Sequence, residues 1–132
     1  MDTADHARLA LSRIRPRSKN PCPCRSSWSM ARIPPAVSGY RTKVWGWGVF
    51  LADQEFDVWI PELRGHGRSP KGADFSKLPR KIQIRYDLPA VQAAVFAATE
   101  KPAFWIGHSF GGLFILAALS VGWLDQKKCR VL

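Results

Sequence analysis

Acidic residues are scarce in this 132-residue sequence. Asp and Glu number 10 against 20 Lys and Arg, so the formal net charge is +10 at pH 7. Residues 1–43 hold nine Lys or Arg against two Asp, a net +7, and residues 44–132 hold the other +3. A basic segment can bind nucleic acid or another acidic surface through its charge alone. No recognition module follows it, so we expect a solvated, mostly irregular N-terminal arm over residues 1–43 and no nucleic-acid partner.

Cysteine is also rare, and its spacing fits no common metal or redox motif. The three cysteines are Cys22, Cys24 and Cys129, and Cys-Pro-Cys lacks the two-residue spacing of a zinc knuckle or redox pair. We therefore expect free thiols in a reducing compartment, no metal, and a cytoplasmic location. The N-terminus lacks the continuous apolar core of a secretory signal. Residues 3–17 resemble an arginine-bearing transit segment, which keeps mitochondrial targeting open, although Asp5 weakens that resemblance.

Charged side chains are missing altogether from Pro102 to Leu124. This stretch is long enough to span a membrane, and its Gly-x-x-x-Gly spacing can pack membrane helices together. His108, Ser109 and three glycines are nonetheless bunched at one point, where a turn between a strand and a helix explains them better. A membrane-associated protein that spans at residues 102–124 is kept as an alternative, and we expect no membrane partner.

That turn follows a short apolar run, Phe104 to Ile106, and reads Gly107-His108-Ser109-Phe110-Gly111. A Gly-x-Ser-x-Gly pattern between a strand and a helix is typical of a nucleophile elbow, which exposes a serine hydroxyl on a sharp turn. Small residues two before and two after the serine make the turn possible. The helix that follows is predicted to bury the side formed by Leu113, Leu116, Ala117 and Val121.

Upstream of the turn, helical and strand patterns alternate. A helix is predicted over residues 44–54, although its two glycines lower the helix propensity of this segment. A short strand is predicted over residues 56–61. Further on, Asp87 is expected to cap a helix that buries the side formed by Leu88, Val91, Val95 and Ala98. A second strand then leads into the elbow. This alternation predicts an α/β fold with a parallel sheet and right-handed crossovers.

The strand at residues 56–61 leads into a polar loop that reads Glu62-Leu63-Arg64-Gly65-His66-Gly67-Arg68-Ser69. Loops of this kind lie at the carboxyl ends of strands, where the ligands of open α/β sheets bind. We interpret Arg64 and His66 as loop scaffolding, with Arg64 paired to a local carboxylate or carbonyls, in preference to direct substrate contact.

The two loops together resemble the α/β-hydrolase family. Residues 56–69 are similar to that family's fourth strand and its Asp-x-Arg-Gly-x-Gly-x-Ser loop, with Glu62 at the aspartate position, and the elbow is similar to the one after its fifth strand. The resemblance covers residues 44–124, is nearest to the esterase, lipase and serine aminopeptidase branch, and implies a partial, doubly wound parallel sheet. We therefore divide the chain into a basic segment, residues 1–43, and a partial hydrolase domain, residues 44–132.

The resemblance implies a serine hydrolase that cleaves ester or amide bonds of small molecules without a cofactor or metal. Ser109 would be the nucleophile and the backbone N–H of Phe110 one oxyanion donor, with the N–H of Tyr40 as a weak candidate for the other. His108 would be a neighbour on the turn and not the base. The elbow glycines would be Gly107, Gly111 and Gly112. The active-site loop would comprise Arg64, Gly65, His66 and Gly67.

Several parts that the family needs are missing. A family triad runs Ser, then Asp or Glu, then His, and beyond Ser109 this chain has Asp125, which follows the elbow helix too closely, and no histidine. The His-Gly motif after the third strand is absent, and only two strands are convincing, so we expect a chain with open sheet edges that is marginally folded alone or depends on another chain. The sequence predicts a truncated, inactive serine hydrolase. The alternatives are a non-catalytic binding or assembly protein that self-associates through those edges, and the membrane-spanning protein above.

Overall fold

Five strands and three helices make up the part of the chain that the structure describes. The structure is a computed structural model, and it describes residues 1–16, 29–33, 46–72 and 79–130. In chain order the elements are β1 Ala10–Ile14, β2 Ser29–Ile33, α1 Trp47–Asp53, β3 Asp57–Glu62, α2 Leu88–Thr99, β4 Ala103–Gly107, α3 Phe110–Ser120 and β5 Cys129–Arg130. A π-helical turn, Gln83–Asp87, runs directly into α2, and a 3₁₀ turn, Gln126–Lys128, precedes β5.

The strands form one sheet in the order β1-β3-β2-β4-β5. The central strand, β2, runs parallel to both neighbours, with Met30 opposite Val58 of β3 and Phe104 of β4. β4 and β5 are also parallel, and of these five strands β1 alone is antiparallel to its neighbour, with Ala10 opposite Glu62. The predicted α/β fold with a largely parallel sheet is therefore confirmed.

The N-terminal third contributes two of these strands, so the expectation of irregular structure is wrong for residues 10–14 and 29–33. Each strand has five residues and carries a serine and an arginine, which obscures the usual β pattern of branched and aromatic residues. Distant contacts hold β1, since Arg13 makes two hydrogen bonds of 2.8 Å to Asp57. The expected two-stranded sheet is also wrong, because β2 lies between the two predicted strands. The proposed domain boundary at residue 44 lies outside the described residues.

Helices cover both faces of the sheet. Side chains alternate along a strand, so Val58 and Ile60 of β3 face one side, where α1 packs through Leu51. The opposite face carries Trp59 and Trp105, and α2 and α3 cover it through Leu88, Val91, Val95, Phe114, Ile115 and Ala118. α1 lies within the helix predicted at residues 44–54.

α2 lies close to its predicted position, but its start is not built as expected. It buries Leu88, Val91 and Val95, as predicted, and leaves Ala98 exposed. Asp87 makes no side-chain cap, because the helical chain continues upstream through the π-helical turn. The capping role is therefore wrong, and the Asp87 carboxylate binds a side chain 23 residues away instead.

α3 turns the opposite side to the sheet from the one predicted. Its buried residues are Gly111, Phe114, Ile115 and Ala118. By contrast Leu113, Leu116 and Val121, all expected to be buried, are 57–60% exposed. Every residue from Phe110 to Leu119 is apolar or glycine, so the spacing of apolar residues cannot distinguish one side of this helix from the other.

The uncharged stretch from Pro102 to Leu124 is divided between β4, the turn and α3, and is not one continuous helix. The alternative with a span at residues 102–124 is therefore wrong. Across the described residues, none of the helices combines the length and the apolar character needed to cross a bilayer.

Candidate active site

The carboxyl ends of the parallel strands meet at one edge of the sheet, which we call the carboxyl edge. β3 ends there at Glu62 and β4 at Gly107, and because β1 runs the other way, its first residue lies at the same edge. Residues 1–9, the loop after β3 and the turn after β4 therefore gather at this edge. Ligands of open α/β sheets bind in such a position. Tyr40, the weak candidate for an oxyanion donor, lies outside the described residues.

Ser109 occupies a strained turn between β4 and α3. Its φ of 54° and ψ of −120° lie in a region that residues other than glycine rarely adopt. Two hydrogen bonds of 3.0 Å hold the turn, from the N–H of Gly111 to the His108 carbonyl and from the N–H of Gly112 to the Ser109 carbonyl. His108, Ser109 and Phe110 are all exposed. The turn thus presents Ser109 to solvent at the carboxyl edge.

β4 and α3 approach each other at this turn through backbone atoms alone. A Cβ added at Gly107 would lie 2.6 Å from the carbonyl oxygen of Gly111, and it would overlap other backbone atoms of Gly111 and Gly112 still more closely. Real Cβ atoms essentially never come within 3.0 Å of another atom in this way. A Cβ at Gly112 would meet the Gly107 carbonyl oxygen at 3.2 Å, which is also tight. The packing therefore demands glycine at residue 107.

The N–H of Phe110 lies at the first position of α3, directly after Ser109. Within the described residues it has no backbone hydrogen-bond partner, as is usual for the first amides of a helix. The helix dipole adds partial positive charge at the same end. An oxyanion that forms beside Ser109 would therefore meet a donor. Phe110 is 56% exposed, and the Arg80 guanidinium lies over its ring, 4.7 Å from the ring centroid.

Arg64, in the loop after β3, is buried among charged side chains. Its Nε and Nη2 donate to Asp87 Oδ1 at 2.8 and 2.6 Å, and its backbone N–H donates to Asp87 Oδ2 at 3.0 Å. Its Nη1 and Nη2 donate to the two carboxylate oxygens of Asp5 at 2.7 and 2.9 Å. Gln83 donates to the Arg64 carbonyl at 3.2 Å. Arg64 therefore joins the N-terminal segment, the loop and the π-helical turn, in agreement with its interpretation as scaffolding.

The two carboxylates beside Arg64 are perturbed in opposite directions. Hydrogen bonds from the Arg64 guanidinium lower the pKa of Asp5 to about 2. Burial raises the pKa of Asp87 above its ordinary value, although the hydrogen bonds from Arg64 oppose that shift. Hydrogen bonding to Asp5, and then to Asp87, raises the pKa of Arg64. Arg64 therefore stays charged, and its charge offsets the burial of Asp87.

The other polar side chains of the loop bind the loop itself. His66 Nδ1 lies 3.0 Å from the Arg64 carbonyl oxygen, and because a carbonyl can only accept, this nitrogen carries the proton. The Glu62 carboxylate accepts from the backbone N–H of Arg68 and, at 3.1 Å, from its Nε. Ser69 Oγ donates to the Glu62 carbonyl and accepts from the first N–H of β1 at 2.9 Å. The loop is thus held by hydrogen bonds within itself and by a hydrogen bond from β1.

The structure brings only some of the predicted site residues together. Ser109 and the Phe110 N–H adjoin at the turn, whereas the loop from Arg64 to Gly67 follows β3, which is separated from β4 by β2. Neighbouring strands lie about 4.8 Å apart, so the ends of β3 and β4 lie about 10 Å apart along the edge. Gly65 and Gly67 have positive φ angles of 74° and 55°. They shape the loop that follows β3.

Some residues of this edge carry no signal in the sequence. Asp5 lies in a segment that matches no motif, and its partner Arg64 is 59 residues away along the chain. Arg80 and Gln83 likewise contact the edge only because the π-helical turn packs there.

Asp125 accepts from the backbone N–H of Lys127 at 2.9 Å, as a local cap. Within the ranges that the structure describes, no three His, Cys, Asp or Glu side chains gather into a metal site.

Comparisons with known proteins add a family to this geometry. Residues 25–131 match the sequence model described as the Alpha/beta hydrolase family. Over 89 residues the chain is 36% identical to a tear acid lipase-like protein of Mesocricetus auratus, a match that covers 61% of this chain and 22% of that protein. Over 88 residues it is 32% identical to triacylglycerol lipase 2 of Arabidopsis thaliana, covering 61% and 21%.

A third relative is a bacterial esterase. Over 80 residues the chain is 34% identical to the pimeloyl-(acyl-carrier protein) methyl ester esterase of Methylococcus capsulatus, covering 61% of this chain and 27% of that protein. The chain thus spans 21–27% of the length of these three relatives. No solved structure matches the chain.

Proposed function

Because the chain belongs to the α/β-hydrolase family, we propose that it carries the nucleophile elbow of an ester hydrolase. Ser109 is the nucleophile in this proposal, and the N–H of Phe110 is an oxyanion donor. The observation that carries it is the strained backbone of Ser109, with φ 54° and ψ −120°, on an exposed turn between a parallel strand and a helix. Backbone strain of this kind persists only where the surrounding structure enforces it, and it is concentrated at functional sites.

The proposed reaction begins with attack of Ser109 Oγ on the carbonyl carbon of an ester. A base must take the hydroxyl proton as the C–O bond forms, because a neutral hydroxyl is a weak nucleophile. The carbonyl oxygen becomes an oxyanion, which the Phe110 N–H and the positive end of the α3 dipole stabilise. The N–H of Tyr40 is the proposed second donor. Collapse of the intermediate expels the alcohol, and water then releases the acid from the acyl-serine.

The names of the relatives support an ester as substrate, since they describe a lipase-like protein, a triacylglycerol lipase and a methyl ester esterase. A small-molecule ester is the form of substrate that we propose. Amide bonds belong to the wider proposal, because the same acyl chemistry cleaves them. We assign the loop from Arg64 to Gly67 to positioning and not to substrate contact. This assignment follows from the two carboxylates that hold Arg64 and from the hydrogen bond between His66 and the loop backbone.

We further propose that these 132 residues alone turn over esters negligibly, as a truncated hydrolase would. No histidine follows Ser109 in the sequence, and His108 is its neighbour on the turn. The Asp125 carboxylate is bound to the backbone of Lys127. Another polypeptide segment that supplied a histidine and an acid would complete the site. A cytoplasmic location remains part of this proposal.

Covalent labelling of serines tests the elbow without requiring turnover. With a phosphonofluoridate probe, Ser109 is expected to react about a hundredfold faster than Ser120, since a preorganised oxyanion donor contributes a factor of about that size. Ser120 is the matched control, because it is an exposed serine at the other end of the same helix, with its hydroxyl bonded to the Ala117 carbonyl at 2.9 Å. Mass spectrometry locates the adduct. Equal labelling of the two serines would show that the turn places no oxyanion donor beside Ser109.

Turnover tests the missing base separately. An activated phenyl ester is expected to be hydrolysed no faster by the unmodified chain than by Ser109→Ala. Fast hydrolysis that Ser109→Ala abolishes would contradict the proposed inactivity, and one of the histidines before Ser109 would then have to act as the base.

A second candidate function is a non-catalytic binding or assembly protein. The short strand β5 favours it, because within the described residues its outer edge has no partner strand, and an open edge can pair with another chain. Size-exclusion chromatography with light scattering is the test. Self-association through the sheet edge would support this candidate, and a folded monomer at all concentrations would exclude it.

A further inference from the structure

The Arg80 side chain lies beside the turn that carries Ser109. Its guanidinium stands over the Phe110 ring, 4.7 Å from the ring centroid. Phe110 is the first residue of α3 and directly follows Ser109. Helical side chains lean toward the N-terminus of their helix, so this ring lies on the Ser109 side of its own Cα. Because consecutive Cα atoms are about 3.8 Å apart, the guanidinium lies within roughly 12 Å of the Ser109 Cα.

Contacts on both sides fix this arrangement. The Phe110 ring packs against the ring of Phe114, with centroids 6.3 Å apart, and Phe114 is buried. The Arg80 carbonyl accepts from the N–H of Gln83 at 3.1 Å, and the Gln83 side chain donates to the Arg64 carbonyl at 3.2 Å. Arg80 is therefore anchored between the loop after β3 and the turn after β4. These contacts set its position, whatever covers this edge of the sheet.

The guanidinium of Arg80 keeps its donors available in this position. A guanidinium that stacks on a ring uses its flat face, and its N–H groups point outward in the plane. Among the residues that the structure describes, no carboxylate pairs with Arg80. The two acids nearest in the fold, Asp5 and Asp87, both bind Arg64 instead. Arg64 is thus saturated, and Arg80 can bind an anion.

The charge around Ser109 is positive. Residues 79–86 hold Arg80, Lys81 and Arg85 and no acid, and residues 102–124 hold no charged side chain. Charge of one sign around a site raises the local concentration of ligands of the opposite sign. The neighbourhood of the serine therefore favours an anionic ligand over a neutral or cationic one.

We propose that Arg80 is a specificity residue of the Ser109 site and selects esters that carry a second, negatively charged group. The carboxylate or phosphate of such a substrate binds the outward N–H groups of Arg80, while its ester carbonyl lies beside Ser109 and the Phe110 N–H. Arginine suits this role because its planar fork binds either anion through two parallel hydrogen bonds. The inference rests on the proposed function, since it assigns the substrate class of the same serine.

Matched phosphonofluoridate probes test the proposal on the 132-residue chain. One probe carries a carboxylate at the end of its alkyl chain, and the other carries a primary amide at the same position. Alkyl chains that reach up to roughly 12 Å are compared, which covers the distance from Ser109 to Arg80. Mass spectrometry gives the labelling rate of Ser109 with each probe. We expect the carboxylate probe to react about fivefold faster at low salt, the effect of one ion pair near solvent, and the preference to weaken as salt is added.

Substitutions at Arg80 separate a local contact from the overall charge of +10. Arg80→Gln is expected to bring the ratio of the two rates close to one. Arg80→Lys is expected to retain a preference of about twofold, because lysine keeps the charge but lacks the planar fork. Lys101→Gln is the matched control, since it removes one positive charge at the opposite end of β4. It is expected to leave the fivefold ratio as it is in the unmodified chain.

A third probe distinguishes the two anions. It carries a phosphate in place of the carboxylate, on an alkyl chain of the same length. The anion whose rate falls further in Arg80→Gln is the preferred group. Each ratio is measured within one protein, so a general change in the reactivity of a variant does not alter it.

Equal rates with the anionic and amide probes would overturn the proposal. So would a preference that Arg80→Gln leaves intact, or one that Arg80→Gln and Lys101→Gln reduce equally, because the overall charge would then be its cause. Failure of the proposed function gives a different result, since Ser109 would then be labelled no faster than Ser120 by any probe. Circular dichroism checks that each variant is folded.

Discussion

The turn after β4 and the loop after β3 lie at the same edge of the sheet and are held there in opposite ways. The turn that carries Ser109 is fixed by contacts between backbone atoms of residues 107–113. The loop that carries Arg64 is fixed by charged side chains from residues as far as 59 positions away. The turn leaves the Ser109 side chain exposed, whereas the loop buries the Arg64 side chain.

This difference shows two ways to build a rigid site. Backbone packing leaves the side chain at the tip of a turn available for chemistry, because that side chain takes no part in holding the turn. A buried ion-pair network uses the side chain itself as the support, so the guanidinium of Arg64 is engaged with Asp5 and Asp87. Mutations can test each half of this comparison.

Arg64→Met is expected to have the largest effect on the free energy of unfolding. It leaves the buried Asp87 without its cation, and breaking a buried ion pair in this way costs about 3–5 kcal/mol of the free energy of unfolding. Urea unfolding followed by circular dichroism measures the loss. Lys128→Gln is the control, because Lys128 and Asp125 form an ion pair at 3.6 Å in which both side chains are exposed, and its loss is expected at about 1 kcal/mol or less.

The double variant Arg64→Met, Asp87→Leu keeps this prediction testable if the single variant does not fold. Removal of both partners leaves no unpaired charge in the interior, so much of the lost stability is expected to return. If the double variant were as unstable as Arg64→Met alone, the unpaired Asp87 would not be the cause.

Gly107→Ala is expected to have the next largest effect. The added methyl group overlaps the backbone of Gly111 and Gly112, which forces β4 and α3 apart at a cost of about 1–3 kcal/mol. The labelling rate of Ser109 is expected to fall toward that of Ser120 in the same protein. Gly72→Ala is the matched control, since nothing lies within 4 Å of a Cβ there, and we expect a change of about 0.5 kcal/mol or less. Equal stability of the two variants would refute the described turn.

Asp5→Asn is expected to have the smallest effect on the free energy of unfolding, and this effect is expected to depend on pH. The pKa of Asp5 falls from 3.8 to about 2 on folding, so the unfolded chain takes up this proton before the folded protein does. Its ion pair with Arg64 therefore stabilises the fold fully above about pH 4 and ceases to do so as the pH falls to about 2.

The measurement is the difference in urea midpoint between the unmodified chain and Asp5→Asn at a series of pH values. The difference is expected to be largest near neutral pH and to vanish at the acid end. The same substitution in the Arg64→Met background is expected to show no such dependence. A difference that grew on acidification would mean that Arg64 does not stabilise the charged form.

Elements with a strong local pattern could be predicted from the sequence. β3 is apolar from Val58 to Pro61 and β4 is apolar throughout, each strand leads into a segment rich in glycine, and α2 has apolar residues at helical spacing. β1 and β2 could not be predicted, because a five-residue segment with serine and arginine becomes a strand only when a partner strand is present. Both strands pair with β3, which begins 24 residues after β2 ends at Ile33.

The site shows the same division. The glycine requirement at residue 107 is readable from the motif, because it depends on residues four and five positions away. The roles of Asp5 and Asp87 are not readable, since Asp87 stands where a helix cap is expected and its partner lies 23 residues away. The exposed side of α3 was predicted wrongly because the helix is apolar on both sides. Local chemistry was visible in the sequence, and long-range pairing was not.

The place of β2 in the sheet has a consequence for the chain as it leaves the ribosome. β2 is complete at Ile33, but its neighbours β3 and β4 end at Glu62 and Gly107. Synthesis at roughly 5–20 residues per second keeps this strand waiting for seconds before both partners exist. Parallel pairing over such distances is also slow, since a long loop must close before any contact forms. The strand at the centre of the finished sheet thus waits longest for its last partner, and its open edge is a natural target for chaperones that bind unpaired strands.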